Sequence, residues 1–254
     1  MYSSGVGTAD RPEPDGTPGI IWGGPTDGML SRLREEYSLD SIAAGARTEI
    51  ERLCLLRDWV HGRFAHHSHN VPAMFDTLYI LEKAHGGKQF RCVEYSFVLA
   101  DVYRAMGWPA RLVRLEGRSG AHVVTEVYSQ VFGKWLMMDG QHSAHVLLGE
   151  APADVPADVS EFREAVVTQR SSELEPRLAD GTLDYIEWNA GYLEYLMYAQ
   201  DLAYGNQLST LLVLAPPDDP GPEIKPDYLQ VHGTTYVIVH DRAIVYPRDV
   251  PPMG

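Results

Sequence analysis

The chain has 254 residues, 44% hydrophobic, 10% aromatic and 22% charged, an ordinary globular make-up that excludes wholesale disorder and suits one large domain. With 21 Lys and Arg against 35 Asp and Glu, its formal net charge is −14, which disfavours nucleic acid and acidic membrane surfaces as partners. No apolar run reaches the roughly 18 residues a membrane-spanning helix needs, and two cysteines, Cys54 and Cys92, are too few for a disulfide-stapled scaffold.

Residues 1–28 hold seven Gly and four Pro without apolar periodicity, and read as a tail in which only Ile20, Ile21 and Trp22 could dock on the body. The remainder, 29–254, reads as a single domain with a C-terminal extension. Ile50, Leu53, Leu56 and Val60 recur at helical spacing and predict an amphipathic helix. A second helix is predicted over Asp76–Ala84, stopped by Gly86 and Gly87. A third starts near Cys92, ends at Gly107 and is apolar on most sides, so it should be buried. Three strand-like runs follow, Ala110–Leu115, Ala121–Tyr128 and Lys134–Asp139, joined by hairpin-length connections. Helices followed by an antiparallel meander make an α+β arrangement. Further on, Ala151–Val159 reads as a linker and Glu161–Val167 as a helix. Tyr185, Trp188, Tyr192, Tyr195 and Tyr198 step by three and four, predicting an aromatic-faced helix. Leu211–Leu214, Thr235–Val239 and Ala243–Tyr246 read as strands, the last two joined across His240, Asp241 and Arg242.

Cys92 falls at a helix start, where unpaired N–H groups and the helix dipole favour a thiolate. A thiolate nucleophile needs a base and a group to orient that base. His122, 30 residues on in the second strand, and Asp139, 17 further at the end of the third, can lie side by side on neighbouring strands. Cys54, in the middle of a helix among Leu53, Leu55 and Leu56, reads as packing, although a Cys54–Cys92 disulfide would be compatible with the sequence.

Four stretches in order, Phe90-Arg-Cys-Val-Glu-Tyr-Ser96, Arg104-Ala-Met-Gly-Trp-Pro-Ala-Arg111, His122-Val-Val-Thr-Glu-Val-Tyr128 and Lys134-Trp-Leu-Met-Met-Asp139, resemble the transglutaminase-like superfamily of bacterial enzymes. The resemblance spans roughly residues 48–141. It implies a papain-like cysteine-enzyme core with helices packed on an antiparallel sheet. It also implies Cys92 as nucleophile, His122 as general base and acid, and Asp139 as the residue orienting His122. Members attack an amide, ester or thioester carbonyl and pass through an acyl-enzyme, which an amine or water then resolves. The expected partners are therefore a small-molecule or peptide substrate carrying an acyl group and an amine acceptor. No cofactor is implied, and the oligomeric state is left open.

The backbone N–H of Cys92 is one candidate oxyanion donor, and Gln89, Trp59 and Gln141 are side-chain candidates for a second. Tyr95 and Glu126 are candidate substrate contacts. Glu126 shares the His122 strand face but is better suited to an ion pair with Arg111 or Arg114, and Arg111 itself reads as structural. The tyrosine-rich stripe could wall the cleft. His61, His66, His67 and His69, and the pair His142 and His145, raise a metal-binding alternative, as would Cys92, His122 and Asp139 acting as ligands. Neither histidine cluster has the spacing of a structural zinc site, so no metal is expected. A catalytically silent binding or scaffold protein on the same fold is the other alternative. With two cysteines and no signal-peptide pattern, the expected location is cytoplasmic.

Overall fold

The computed structural model describes residues 27–149, 155–199, 210–215 and 235–246. The Gly/Pro-rich stretch up to residue 26, with Ile20, Ile21 and Trp22, and residues 151–154 of the expected linker lie outside them. Five helices come first: α1 (Asp27–Glu36), α2 (Leu39–Ala43), α3 (Glu49–His61), α4 (Thr77–His85) and α5 (Cys92–Ala105). Local chemistry fixes their starts. The Thr48 hydroxyl accepts from Glu51 N–H at 3.2 Å while the Glu51 carboxylate accepts from Thr48 N–H, a reciprocal cap on α3. Asp76 caps α4 through Tyr79 N–H at 2.8 Å. At the start of α5 the Glu94 carboxylate accepts from Arg91 N–H at 2.9 Å.

The strands β1 (Ala110–Gly117), β2 (Gly120–Ser129) and β3 (Lys134–Met138) follow as an antiparallel meander. After them come β4 (His145–Leu148), α6 (Val159–Val167), β5 (Leu174–Arg177), α7 (Tyr185–Ala190), β6 (Tyr195–Ala199), β7 (Thr210–Leu214), β8 (Thr235–Val239) and α8 (Arg242–Val245). The main sheet runs β3-β2-β1-β6-β7-β8, and β4 and β5 pair separately. The expected helices on an antiparallel sheet are present; every neighbouring pair is antiparallel except β7 and β8 at the edge, which are parallel. A parallel pair needs a crossover rather than a hairpin.

Period-two alternation gives the sheet two buried faces. Val127, Leu136, Met138 and Met197 face the helices of the N-terminal half, with α5 between them and the surface. Val124, Met137, Leu196 and Tyr198 face the second layer, made by α6, α7 and β4. From Glu94 to Ala105 every residue of α5 is buried, whereas Cys92 and Val93 at its first turn are partly open. The helix therefore presents only its N-terminus to a cleft.

Two expectations fail in the C-terminal half. The aromatic stripe is not one helix: Tyr185 and Trp188 lie on α7, Tyr192 in a turn, and Tyr195 and Tyr198 on β6. Leu196 and Met197 face opposite cores, a strand alternation that two adjacent apolar side chains conceal in the sequence. Ala243–Tyr246 is not a strand either, because Asp241 accepts from Ala243 N–H at 2.8 Å and starts α8 instead.

Candidate active site

Three elements converge at one end of the sheet. Cys92 opens α5, His122 lies in β2 and Asp139 follows β3 directly. The Nε2–H of His122 donates to Asp139 Oδ2 at 2.8 Å, and His122 lines the same cleft as Cys92, close enough for the charge of each to act on the other. With Nε2 committed to the carboxylate, Nδ1 is the atom left for sulfur. Asp139 is fully buried yet well satisfied: Gln141 N–H and His142 N–H donate to Oδ1 at 2.9 and 3.1 Å, and the Tyr185 hydroxyl donates to Oδ2 at 2.8 Å.

These contacts set the protonation states. Burial disfavours charge on all three groups, and each is carried the other way by its neighbours. Asp139 is held well below the usual carboxylate range by the charge and hydrogen bond of His122, with His142 and Tyr185 adding to them. His122, opposed by burial, is raised to about 9 by Asp139 and by Cys92. The Cys92 thiol, also opposed by burial, is lowered by the hydrogen bond and charge of His122 and by the Val123 backbone. The shifts together favour a thiolate beside an imidazolium. The neighbouring histidines go the opposite way, since burial and the charge of His122 lower both His66 and His142. A cleft of about 290 Å³ opens on the sulfur, lined among others by His66, Cys92, His122, Gln141, Trp188 and Tyr192. Trp188 meets the His122 ring edge-on, with centroids 4.9 Å apart.

Residues 38–140, which carry Cys92, His122 and Asp139, match the family model of the transglutaminase-like superfamily. That segment is similar to the core of this superfamily. Two solved structures are similar to parts of the chain. One is a candidate cysteine protease from Cytophaga hutchinsonii, with 14% identity over 46% of this chain and 40% of that one and a TM-score of 0.38. The other is a TGase, with 20% identity over 45% of this chain and 31% of that one and a TM-score of 0.34. The chain thus covers less than half the length of either. No curated protein matches it.

Around this segment the other sequence candidates separate. Gln141 lines the cleft. Gln89 is exposed and uses its carbonyl to accept from Asn70, and Trp59 is half-buried under the Arg63 guanidinium and against Tyr37, so neither reaches the cleft. Tyr95 is buried, donates its hydroxyl to the Phe64 carbonyl and packs on the Phe64 ring, which makes it a core residue rather than a substrate contact. Glu126 is likewise corrected. It accepts from Arg111 at 2.6 and 2.8 Å, from Tyr246 at 2.7 Å and from Val159 N–H at 2.9 Å, fully buried and away from the cleft. Arg111 is structural, its guanidinium stacked on Trp135, Tyr198 and Tyr246.

Tyr185 as a partner of Asp139 was not legible in the sequence, since the two are 46 residues apart and no local pattern joins them. Nor was the anchor that holds the loop after Asp139. Buried Arg57 of α3 contacts Ser143 Oγ at 3.2 Å and His145 Nδ1 at 2.7 Å, while Ser143 donates to Asp58. His145 is lowered to about 4 by burial and by Arg57, so its neutral ring accepts that bond. His61 adds a contact from Nδ1 to the Gln141 carbonyl at 2.8 Å. Cys54 sits beside this anchor, 3.9 Å from His145 Nδ1, with its thiol pushed up by burial; both cysteines are free.

For a metal, the one group of potential ligands among the described residues is His122, Asp139 and His142, whose ligand atoms lie within 4.8 Å of one another. His67 and His69 are exposed and outside it, which corrects a metal site built on the 66–69 loop. Asp139 Oδ2 is already shared by His122 and Tyr185, so an ion there would have to displace hydrogen bonds that satisfy a buried carboxylate. Among the described residues no helix is long and apolar enough to cross a membrane.

Proposed function

We propose that the protein is a cofactor-free, cysteine-dependent acyl-transfer enzyme in which Cys92 is the nucleophile. The observation that supports this reading is the placement of His122 between the Cys92 sulfur and the Asp139 carboxylate, at a helix N-terminus that opens on a cleft. The Cys92 thiolate adds to an amide, ester or thioester carbonyl. The leaving group departs with the proton that His122 holds on its sulfur-facing nitrogen, leaving a thioester on Cys92. His122 then takes a proton from an amine or from water as that nucleophile attacks the thioester, giving an amide or a carboxylic acid and restoring the thiolate–imidazolium pair. Asp139 keeps the ring aligned throughout.

The Cys92 N–H at the helix start is the backbone donor for the oxyanion, and Gln141 is the side-chain donor. As placed, Gln141 Nε2 lies 3.0 Å from His142 Nε2, and Oε1 is buried with no partner. The reversed amide lets Oε1 accept from His142 and turns Nε2 to where Oε1 now lies.

The test is trapping of the intermediate. Incubation with p-nitrophenyl acetate, acid quench and peptide mass spectrometry should find acetyl on Cys92 and none on Cys54, with no label on that peptide in Cys92→Ala. Alkylation of the two cysteines should separate in the same way: Cys92 stays reactive below the ordinary thiol range of pKa about 8.5, and His122→Ala removes that advantage. A Cys92 that forms no acyl-enzyme and alkylates like an ordinary thiol would leave a silent scaffold as the better reading. Added amines then divide amide formation from hydrolysis.

A further inference from the structure

Resting on that reading, we propose that the cleft selects an acyl donor carrying a carboxylate, which Arg114 and Arg91 receive. Both arginines line the cleft and, among the described residues, no carboxylate side chain does, although the chain as a whole carries a net charge of −14. They come from different elements. Arg91 immediately precedes Cys92, and Arg114 on β1 lies across from Val123, the neighbour of His122. Among the described residues, the charged side chains that face the cleft besides Cys92 are therefore these two cations and His122.

The two cations are also held in place. Glu94, fully buried, takes the Nε and terminal-nitrogen edge of Arg91 at 3.2 and 2.6 Å. Glu116 accepts from Arg114 Nε at 2.7 Å. Neither glutamate is part of the cleft lining, so each orients its guanidinium from outside the cleft. A planar guanidinium carries five donors, and one carboxylate engages two of them, which leaves Arg91 capacity for a ligand. Pre-oriented side chains also lose little freedom when an anion arrives. Trp188 and Tyr192 supply the apolar wall along which the stem of such a donor would lie. The carboxylate is a handle and is unchanged in the reaction: sulfur bonds to a separate carbonyl, and the leaving group takes the proton from His122.

The experiment compares two probes of equal size, N-iodoacetylglycine and its uncharged amide N-iodoacetylglycinamide, with alkylation of Cys92 and Cys54 read by peptide mass spectrometry at low salt. In the unaltered protein Cys92 should react about tenfold faster with the charged probe than with the amide. Arg114→Gln should bring that ratio close to one, and Arg114→Lys should restore part of it. Because the imidazolium of His122 also attracts anions, the change at Arg114 is what decides. A ratio that Arg114→Gln leaves unaltered, while Cys92 still reacts with the amide, overturns the proposal. Should Arg114→Gln not fold, Arg91→Gln is read in the same way: a fall in the ratio supports the arginine receptor, and an unaltered ratio overturns it. A Cys92 no more reactive than Cys54 toward either probe overturns the nucleophile reading, and the carboxylate selection with it.

Discussion

At the scale of single residues, the site depends on how fully the Asp139 carboxylate is occupied. Four donors converge on it, and the Tyr185 hydroxyl is the one that comes from a distant part of the chain, 46 residues on. Removing that hydroxyl leaves the buried carboxylate one hydrogen bond short, so Tyr185→Phe should lower stability by about 1–3 kcal/mol without loss of fold. Urea denaturation reads this directly, and an unchanged midpoint would mean the tyrosine contributes packing alone. His122 sets a second expectation. Its proton is needed on the ring when the leaving group departs, and its pKa is raised to about 9. Turnover of an ester should therefore hold through neutral pH and fall as pH passes through about 9, with the acid limb set by the lowered Cys92 thiol. An alkaline limb near the unperturbed imidazole value would show that Asp139 does not hold the charge on His122.

At the scale of elements, a backbone contact brings the two halves of the cleft together. Ser119 N–H donates to the Gly191 carbonyl at 3.0 Å, joining the β1–β2 turn to the turn between α7 and β6. A Cβ on Gly117 would come within 2.4 Å of that carbonyl, so the approach depends on glycine. Gly117→Ala should push the turn that carries Tyr192 away from β1 at a cost of about 1–3 kcal/mol. A shift in tryptophan emission, with Trp188 rehydrated, would mark the movement, and unaltered stability and emission would show that the turn yields without consequence.

The same elements show what was legible in the sequence. Helices α3 and α5 and the β1–β3 meander could be read because their apolar spacing, capping residues and hairpin lengths are local, and the order of Cys92, His122 and Asp139 along them followed. The passage from α7 to β6 was hidden because Gly191 breaks a stripe of aromatics whose three-and-four spacing continues across the break. Tyr95 and Glu126 carry the residue types of substrate contacts, but their side chains point into the core and to Arg111, and only tertiary packing decides that. The Arg57 anchor was invisible for the same reason, since its partners lie 86 and 88 residues away.

At the scale of the whole molecule, the reacting pair should have a distinctive influence on stability. His122, with its folded pKa above the unfolded value of about 6.5, adds stability that is complete below that value and is lost as pH rises through about 9. Cys92, lowered in the fold, adds stability that is present above the unfolded thiol value and is lost as pH falls through its folded value. Between about pH 6.5 and 8.5 the two slopes are opposite, because the pair keeps one proton whichever atom holds it. Cys92→Ala removes one slope. Its stability, measured by urea midpoints, should fall with rising pH across this window while the parent changes little, and parallel curves would argue against the charged pair. The chain also divides its labour by position. Cys92, His122 and Asp139, the groups proposed to react, lie within residues 38–140, whereas Trp188 and Tyr192, which line the cleft, lie beyond that stretch. A library randomised at Trp188 and Tyr192, with Tyr185 kept, would therefore vary what the cleft admits while leaving the Asp139 hydrogen bonds intact, which makes the C-terminal half the natural place to rewrite its selectivity.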